Sequence, residues 1–324
     1  MGDYSDLLNL VFSMEIIIIF YEGVVSYLTI NLFNKDAIMK ALVYFDKLVK
    51  ATESEISVFR RQILGKRLRI TWLLSKTMIV LITIVGTSIV YFNLSHTGFS
   101  SPLMFTIPGI PRESIFFYPT NVIIQAILYY SAAPMIVVSD TSIMIIIIYF
   151  EGQLRAITEF MGLLNDEEVA LERSSQIIRT VYEEHKEMLE KFEEIYMSLW
   201  HSYFHKFLAG LFFICFSIFT AQTVDDSITL NAMIIFTILC LMYILCYFSQ
   251  ILRNASDDMA EALYMTKWYV MQVKDQKNLL MLMIKFQYPL EVETFGFGII
   301  SINTFVQICK AGVSYATIVH TLFT

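Results

Sequence analysis

Residues 120–150 read TNVIIQAILYYSAAPMIVVSDTSIMIIIIYF, and Asp140 is their only charge. The stretch is apolar on every side and exceeds the roughly 20 residues that carry a helix across about 30 Å of hydrocarbon. The run Ile145–Ile148 shows no alternation with polar residues, so a transmembrane barrel is a poor fit. Working outward, residues 7–33, 72–94, 203–222, 228–249 and 292–323 are of the same kind, which makes six spans. The 324 residues are 56% hydrophobic and only 16% charged, where a soluble domain carries about a quarter. The fold expected is an all-α, polytopic membrane helical bundle. A net charge of −7 excludes a nucleic-acid partner, since phosphate binding needs concentrated Lys and Arg. All four cysteines, Cys215, Cys240, Cys246 and Cys309, lie in apolar tracts, which argues against a disulfide framework.

Lys and Arg in the connections set the orientation. Residues 34–71 hold nine of them, 151–202 five and 250–291 five, so these three segments are cytoplasmic. Residues 1–6 and 223–227 hold none, 95–119 only Arg112, and the C-terminus follows no charge, so these lie outside. The twelve acidic residues of 151–202 do not alter this, because acids contribute little to orientation. A chain that starts outside with Met-Gly-Asp and no leader implies one more span upstream, giving seven, with a cytoplasmic N-terminus and an extracellular C-terminus. The first helix is therefore expected to be missing from this sequence.

Segments 34–69 and 151–202 read as helices running out of their spans, with Glu183, Glu184, Glu187, Glu190, Lys186 and Lys191 on a solvated face. Residues 255–286 read as a further cytoplasmic helix that leads by a turn at Pro289 into the last span. Pro102, Pro108, Pro111 and Pro119 with Gly98 and Gly109 make the outer loop 95–119 a structured lid. The division expected is 1–254, ligand-binding transmembrane helices with cytoplasmic extensions; 255–291, an anchor helix and turn; and 292–324, the last helix.

The run Asn254-Ala-Ser-Asp-Asp-Met-Ala-Glu-Ala-Leu-Tyr-Met-Thr-Lys-Trp-Tyr269, then Lys285-Phe-Gln-Tyr-Pro289, Phe295-Gly-Phe297, Ser301, Thr304-Phe305 and Ser314-Tyr315, strongly resembles the last helical segments of insect odorant receptors. The likeness continues more weakly through Tyr118-Pro119 and Asp140. Gustatory receptors carry Thr-Tyr, five apolar residues and Gln-Phe near the end. Here Ser314-Tyr315 is followed by Thr321-Leu322, which favours the odorant branch. The resemblance implies a seven-helix subunit of a tetrameric, odorant-gated, non-selective cation channel in the plasma membrane of olfactory sensory neuron dendrites. Its partners would be a volatile odorant, co-receptor subunits and membrane lipid, with no cofactor. The short second cytoplasmic loop makes it similar to an odorant-tuning subunit rather than the co-receptor.

The resemblance further implies that the last helix lines the pore, with Ile318 and Leu322 as apolar gate rings that close by dewetting and Thr321 at the filter. Ordinary packing of a terminal apolar helix is the competing explanation. Lys310, about 20° around the helix from Thr321, would face a wide wet part of the conduit or pair with a carboxylate. The family's pocket lies among the extracellular halves of the spans, here about 7–21, 82–94, 120–136, 212–222 and 228–239. It points to Ile17, Phe20 and Tyr21, to Thr83, Gly86 and Val90, to Tyr129 and Ala133, and to Phe216 and Phe219. Gly86 would leave room for ligand, and Tyr21 and Thr83 would donate to its oxygen. For any one of these, ordinary helix packing competes.

Glu15 and Glu22 share a face of the first tract, with structural pairing ahead of ion binding. His201 and His205 have the i, i+4 spacing of a metal clasp but no third ligand nearby, so no metal site is assigned. Asn93-Leu94-Ser95 is a glycosylation sequon beside the bilayer. No hydrolase, phosphate-loop or dinucleotide signature occurs, so no enzyme activity is expected. A G-protein-coupled-type receptor would end inside the cell, against the charge distribution. A small-molecule transporter would show repeated halves and broken spans, whereas only Pro134 lies within a span.

Overall fold

In lipid a chain must satisfy its backbone internally, and strongly apolar runs do so as long helices. The structure, a computed structural model, describes residues 3–51, 55–96, 111, 113–223 and 228–323. The apolar run 120–150 lies within α4 (Phe117–Met161), with Pro119 in the first turn, where its missing N–H is not needed. This helix is central: it packs against α1 (Asp3–Leu28), α3 (Glu55–His96), α6 (Ser174–Thr223) and α7 (Ile228–Tyr264). Ile143, Met144, Ile146, Ile147, Ile148 and Phe150 of this helix are almost wholly buried. The chain is an all-α membrane helical bundle. Among the described residues, four helices are long and apolar enough to cross a membrane, within α3, α4, α6 and α7. Serine and threonine in these helices, such as Ser75 and Thr83, donate back to the carbonyl four residues earlier, which hides their hydroxyls from lipid.

α1 ends in a π-helical turn, Thr29–Phe33, closed by the Asn34 amide group donating to Thr29 O at 2.8 Å. The amphipathic α2 (Lys35–Lys50) then buries Ile38, Ala41, Tyr44 and Phe45, with Phe45 stacked 4.5 Å from Tyr149 of α4. The helices do run out of their spans as the sequence indicates: α3 and α6 are each continuous from the charge-rich end into the bundle. Between α4 and α6, α5 (Glu167–Glu172) starts at Asp166, whose carboxylate accepts from the Glu168 and Val169 amides.

Two boundaries differ from the expected ones. The division at 254/255 falls inside α7, which continues to Tyr264. There Thr266 Oγ1 donates to Leu263 O, and Lys267 N donates to Leu164 O, drawing the chain off the helix axis. The expected single helix over 255–286 is thus the end of α7, a short 3₁₀ turn Trp268–Val270, and α8 (Val273–Phe286). The last helix begins later than residue 292. A hairpin of β1 (Glu293–Thr294) and antiparallel β2 (Gly298–Ile299) comes first, with Gly296 and Gly298 at φ 77° and 68°, a region that only glycine occupies without strain. Thr294 Oγ1 donates to Trp200 O, and α9 (Ile302–Phe323) follows, its Thr304 amide donating to Ser301 Oγ. Most of the expected outer lid, residues 97–110 and 112, lies outside the described residues.

Candidate functional site: a cavity among five helices

Where α1, α3, α4, α6 and α7 converge they line a cavity of about 90 Å³. Its walls are Ile19 from α1, Ile82 and Val85 from α3, Ala133 and Ile136 from α4, Gly210 and Phe213 from α6, and Ile234, Ile238, Leu241, Met242 and Leu245 from α7, with Thr237 among them. Gly210 lets α7 pack closely, because a Cβ there would stand 2.5 Å from Met242 Sδ and the flexible Met242 would have to shift. Such walls suit a ligand that binds mainly by burying apolar surface.

One end of the cavity is ionic. Lys206 of α6 contacts Asp140 Oδ1 of α4 and lies 3.6 Å from Glu22 Oε1 of α1. The Lys206 and Asp140 side chains are each 2% exposed. One turn earlier on α6, Tyr203 shares a 2.7 Å hydrogen bond with Ser249 and fixes α6 to α7. Pairing of Glu22 accords with the sequence reading. The sequence signal for its partner Lys206 is that charges set in three strongly apolar tracts must meet one another or water. The side chain of Glu15 is outside those described.

Of the ten pocket candidates, Ala133 lines this cavity. Ile17, Phe20 and Tyr21 face the outer surface of the single chain, and the Tyr21 hydroxyl meets His205 Nδ1 at 2.8 Å. Thr83 is exposed and donates to Ile79 O, while the buried Gly86 sits one position from the lining Val85. Phe219 is buried, and Phe216 stacks on Phe212. The side chains of Val90, Tyr129 and Asn93 lie outside the described ones. His201 turns to its own backbone, at 2.6 Å from Met197 O, so the two histidines point to different partners.

α9 is one-sided. Thr304, Ile308, Gly312 and Ala316 are buried at four-residue spacing, chiefly against α6. Gly312 allows the close approach: a Cβ there would lie 2.6 Å from Ile214 Cγ2. The opposite face carries Lys310, Ile318, Thr321 and Leu322, all exposed, with Leu322 at 75%. Lys310 forms no ion pair with a described residue.

The bundle has known counterparts. The insect olfactory receptor OR5 from Machilis hrabei matches with a TM-score of 0.73 at 14% identity, covering 98% of this chain and 81% of that one. The same receptor in complex with eugenol matches with a TM-score of 0.77 at 12% identity, covering 98% and 82%. At these identities the likeness is one of fold. No curated protein matches the chain. The 7tm Odorant receptor family model, by contrast, matches residues 9–313, nearly the whole sequence, and the chain belongs to that family, a class of receptors and not of enzymes.

Proposed function

We propose that this chain is the odorant-tuning subunit of an odorant-gated, non-selective cation channel, assembled as a tetramer with co-receptor subunits in the plasma membrane of sensory dendrites. The observation that carries it is the mostly apolar cavity among α1, α3, α4, α6 and α7. A volatile organic molecule entering it gains affinity by burying apolar surface, at about 25 cal/mol per Å². Similarity in fold to a receptor whose complex with eugenol is known supports a small volatile ligand in such a bundle. The cavity is smaller than the ~150 Å³ void that admits benzene, so flexible Met242 is the side chain that yields to a larger guest.

The one-sided α9 supports the channel half of the reading. Its exposed face alternates apolar Ile318 and Leu322 with polar Lys310 and Thr321, a pattern suited to a water-filled path with an apolar constriction. Ligand binding at one face of α6 and packing of α9 at another give a route by which a filled cavity shifts the population of open pores. The test is expression of the complete protein with a co-receptor under voltage clamp. Odorant-evoked, non-selective cation current that Ala133→Phe alters in ligand preference, with unchanged ion permeability, supports the reading. Failure of every volatile in a broad panel to evoke current from surface-labelled receptors overturns it.

A further inference from the structure

Lys206 stands near the basic, cytoplasmic end of its apolar tract, where its four-carbon stem would allow the ammonium to reach the headgroups. It turns inward instead and is 2% exposed. It meets two carboxylates, not one: Asp140 in direct contact and Glu22 at 3.6 Å. No second cation lines the cavity among the described residues, so two carboxyl groups here face one ammonium. A buried carboxyl group without a full partner in a membrane protein favours a positive group that the cavity admits. Beyond their mutual contact, Lys206 Nζ and Asp140 Oδ1 make no hydrogen bond to any other described group. Thr237 Oγ1 spends its proton on Met233 O, and the neighbouring His205 is turned away to Tyr21. Asp140 is committed to Lys206. Glu22, more distant and more open at 17%, is the carboxylate left to accept from a guest.

Resting on the reading of this cavity as the ligand site, we propose that its ionic end is a subsite for the ammonium group of a small primary amine, with Glu22 as the counter-ion. The ammonium stands beside Glu22 as a second cation and donates to it in a charge-assisted hydrogen bond, about twice as strong as a neutral one. The rest of the cavity is apolar and small, which selects a slender, unbranched alkyl tail. An alcohol of equal length fits the walls but brings Glu22 no cation.

The experiment compares n-butylamine, 1-butanol and n-pentane on the complete protein with co-receptor. The expected order of potency is amine, alcohol, alkane, with the amine ahead of the alcohol by about tenfold or more. Glu22→Gln keeps the shape and leaves Lys206 and Asp140 balanced, and it should remove most of that advantage. Equal potency of amine and alcohol in the wild-type protein overturns the subsite, as does an amine advantage that survives Glu22→Gln in surface-labelled receptors. Should that variant fail to reach the surface, the wild-type ligand series decides alone. Responses to neutral odorants without amine preference sink only the subsite, whereas silence to all volatiles sinks the receptor reading itself.

Discussion

Arg60 is 1% exposed, and three of its guanidinium N–H groups each reach a different element: Nε donates to Gln153 of α4 at 2.5 Å, Nη1 to Leu48 O of α2 at 3.0 Å, and Nη2 to Glu184 of α6 at 3.0 Å. Burial draws its pKa below the ordinary arginine value, against the pull of Glu184. Arg60→Ala would leave Glu184 and Gln153 facing each other without a cation. It is expected to cost about 3–5 kcal/mol, seen as a lower melting temperature in detergent. Arg60→Lys restores the charge but not the planar fork, and should recover only part of the loss. His185, next to Glu184 on α6, offers a pH test. Burial, reinforced by Lys285, pushes its pKa down to about 4, and its ring lies 4.6 Å from Phe286. The folded protein holds it neutral while the unfolded chain takes up a proton below about pH 6.5. Stability therefore falls as pH drops from about 6.5 to about 4, by on the order of 3 kcal/mol over the full window. His185→Phe should flatten that slope between pH 7 and 5. Neither role was legible in the sequence, where Arg60 is one of nine basic residues in its segment and His185 stands among the acidic and basic residues of a solvated stretch.

At the scale of the element, four of the six expected spans, those within α3, α4, α6 and α7, were legible because apolar runs of this length have few alternatives in lipid. Which face of each span looks inward was not. A helix that is apolar all round has no amphipathic stripe to read, and one residue of error rotates the view by about 100°. That is why the cavity is lined by Ile19, Glu22, Ile82 and Val85 while the sequence pointed to Ile17, Tyr21, Thr83 and Gly86 on the same helices. The Phe295-Gly-Phe297 motif carried the resemblance, but its glycine at positive φ is also the turn of a hairpin that sets where α9 starts. α9 yields two predictions. Gly312→Ala pushes a methyl against the branched Ile214 side chain and should cost about 1–3 kcal/mol of overpacking, read as reduced surface yield or current per receptor. Ile214→Ala should partly rescue it, and strict additivity of the two changes would mean that α6 and α9 do not meet there. Ile318→Ala and Leu322→Ala remove bulk from the exposed apolar positions and should raise current without ligand. A change confined to odorant preference would take these residues out of the gate.

For the whole molecule, the ion pairs give a second line on topology that the count of Lys and Arg does not contain. Arg60 with Glu184 and Arg67 with Glu151 join segment 34–71 to segment 151–202, and Arg173 with Glu55 joins them again. Arg155 with Asp258 and Lys267 with Glu167 join 151–202 to 250–291. Segments tied by side-chain contacts must lie on one side of the bilayer, so the three basic segments share a compartment whatever rule assigns it. The acid-rich composition of 151–202, which on net charge would argue for the outside, is explained in part by these partners. Exposed pairs such as Arg173 with Glu55 contribute little to stability, so their value here is geometric. Three segments on one side, linked by spans through α3 and α4 and through α6 and α7, put the start of α9 on that same side, and the proposed channel requires α9 to cross once more and end opposite. The basic-residue rule then places the shared compartment in the cytosol. An epitope fused after Thr324 should be labelled on intact cells, and one inserted at the Gly162–Asn165 turn only after permeabilisation. Labelling of both under the same condition would contradict the odd number of crossings between them. Labelling in the reverse order would keep the fold but invert it in the membrane, and would put the polar face of α9 and its gate residues at the wrong end for the proposed channel.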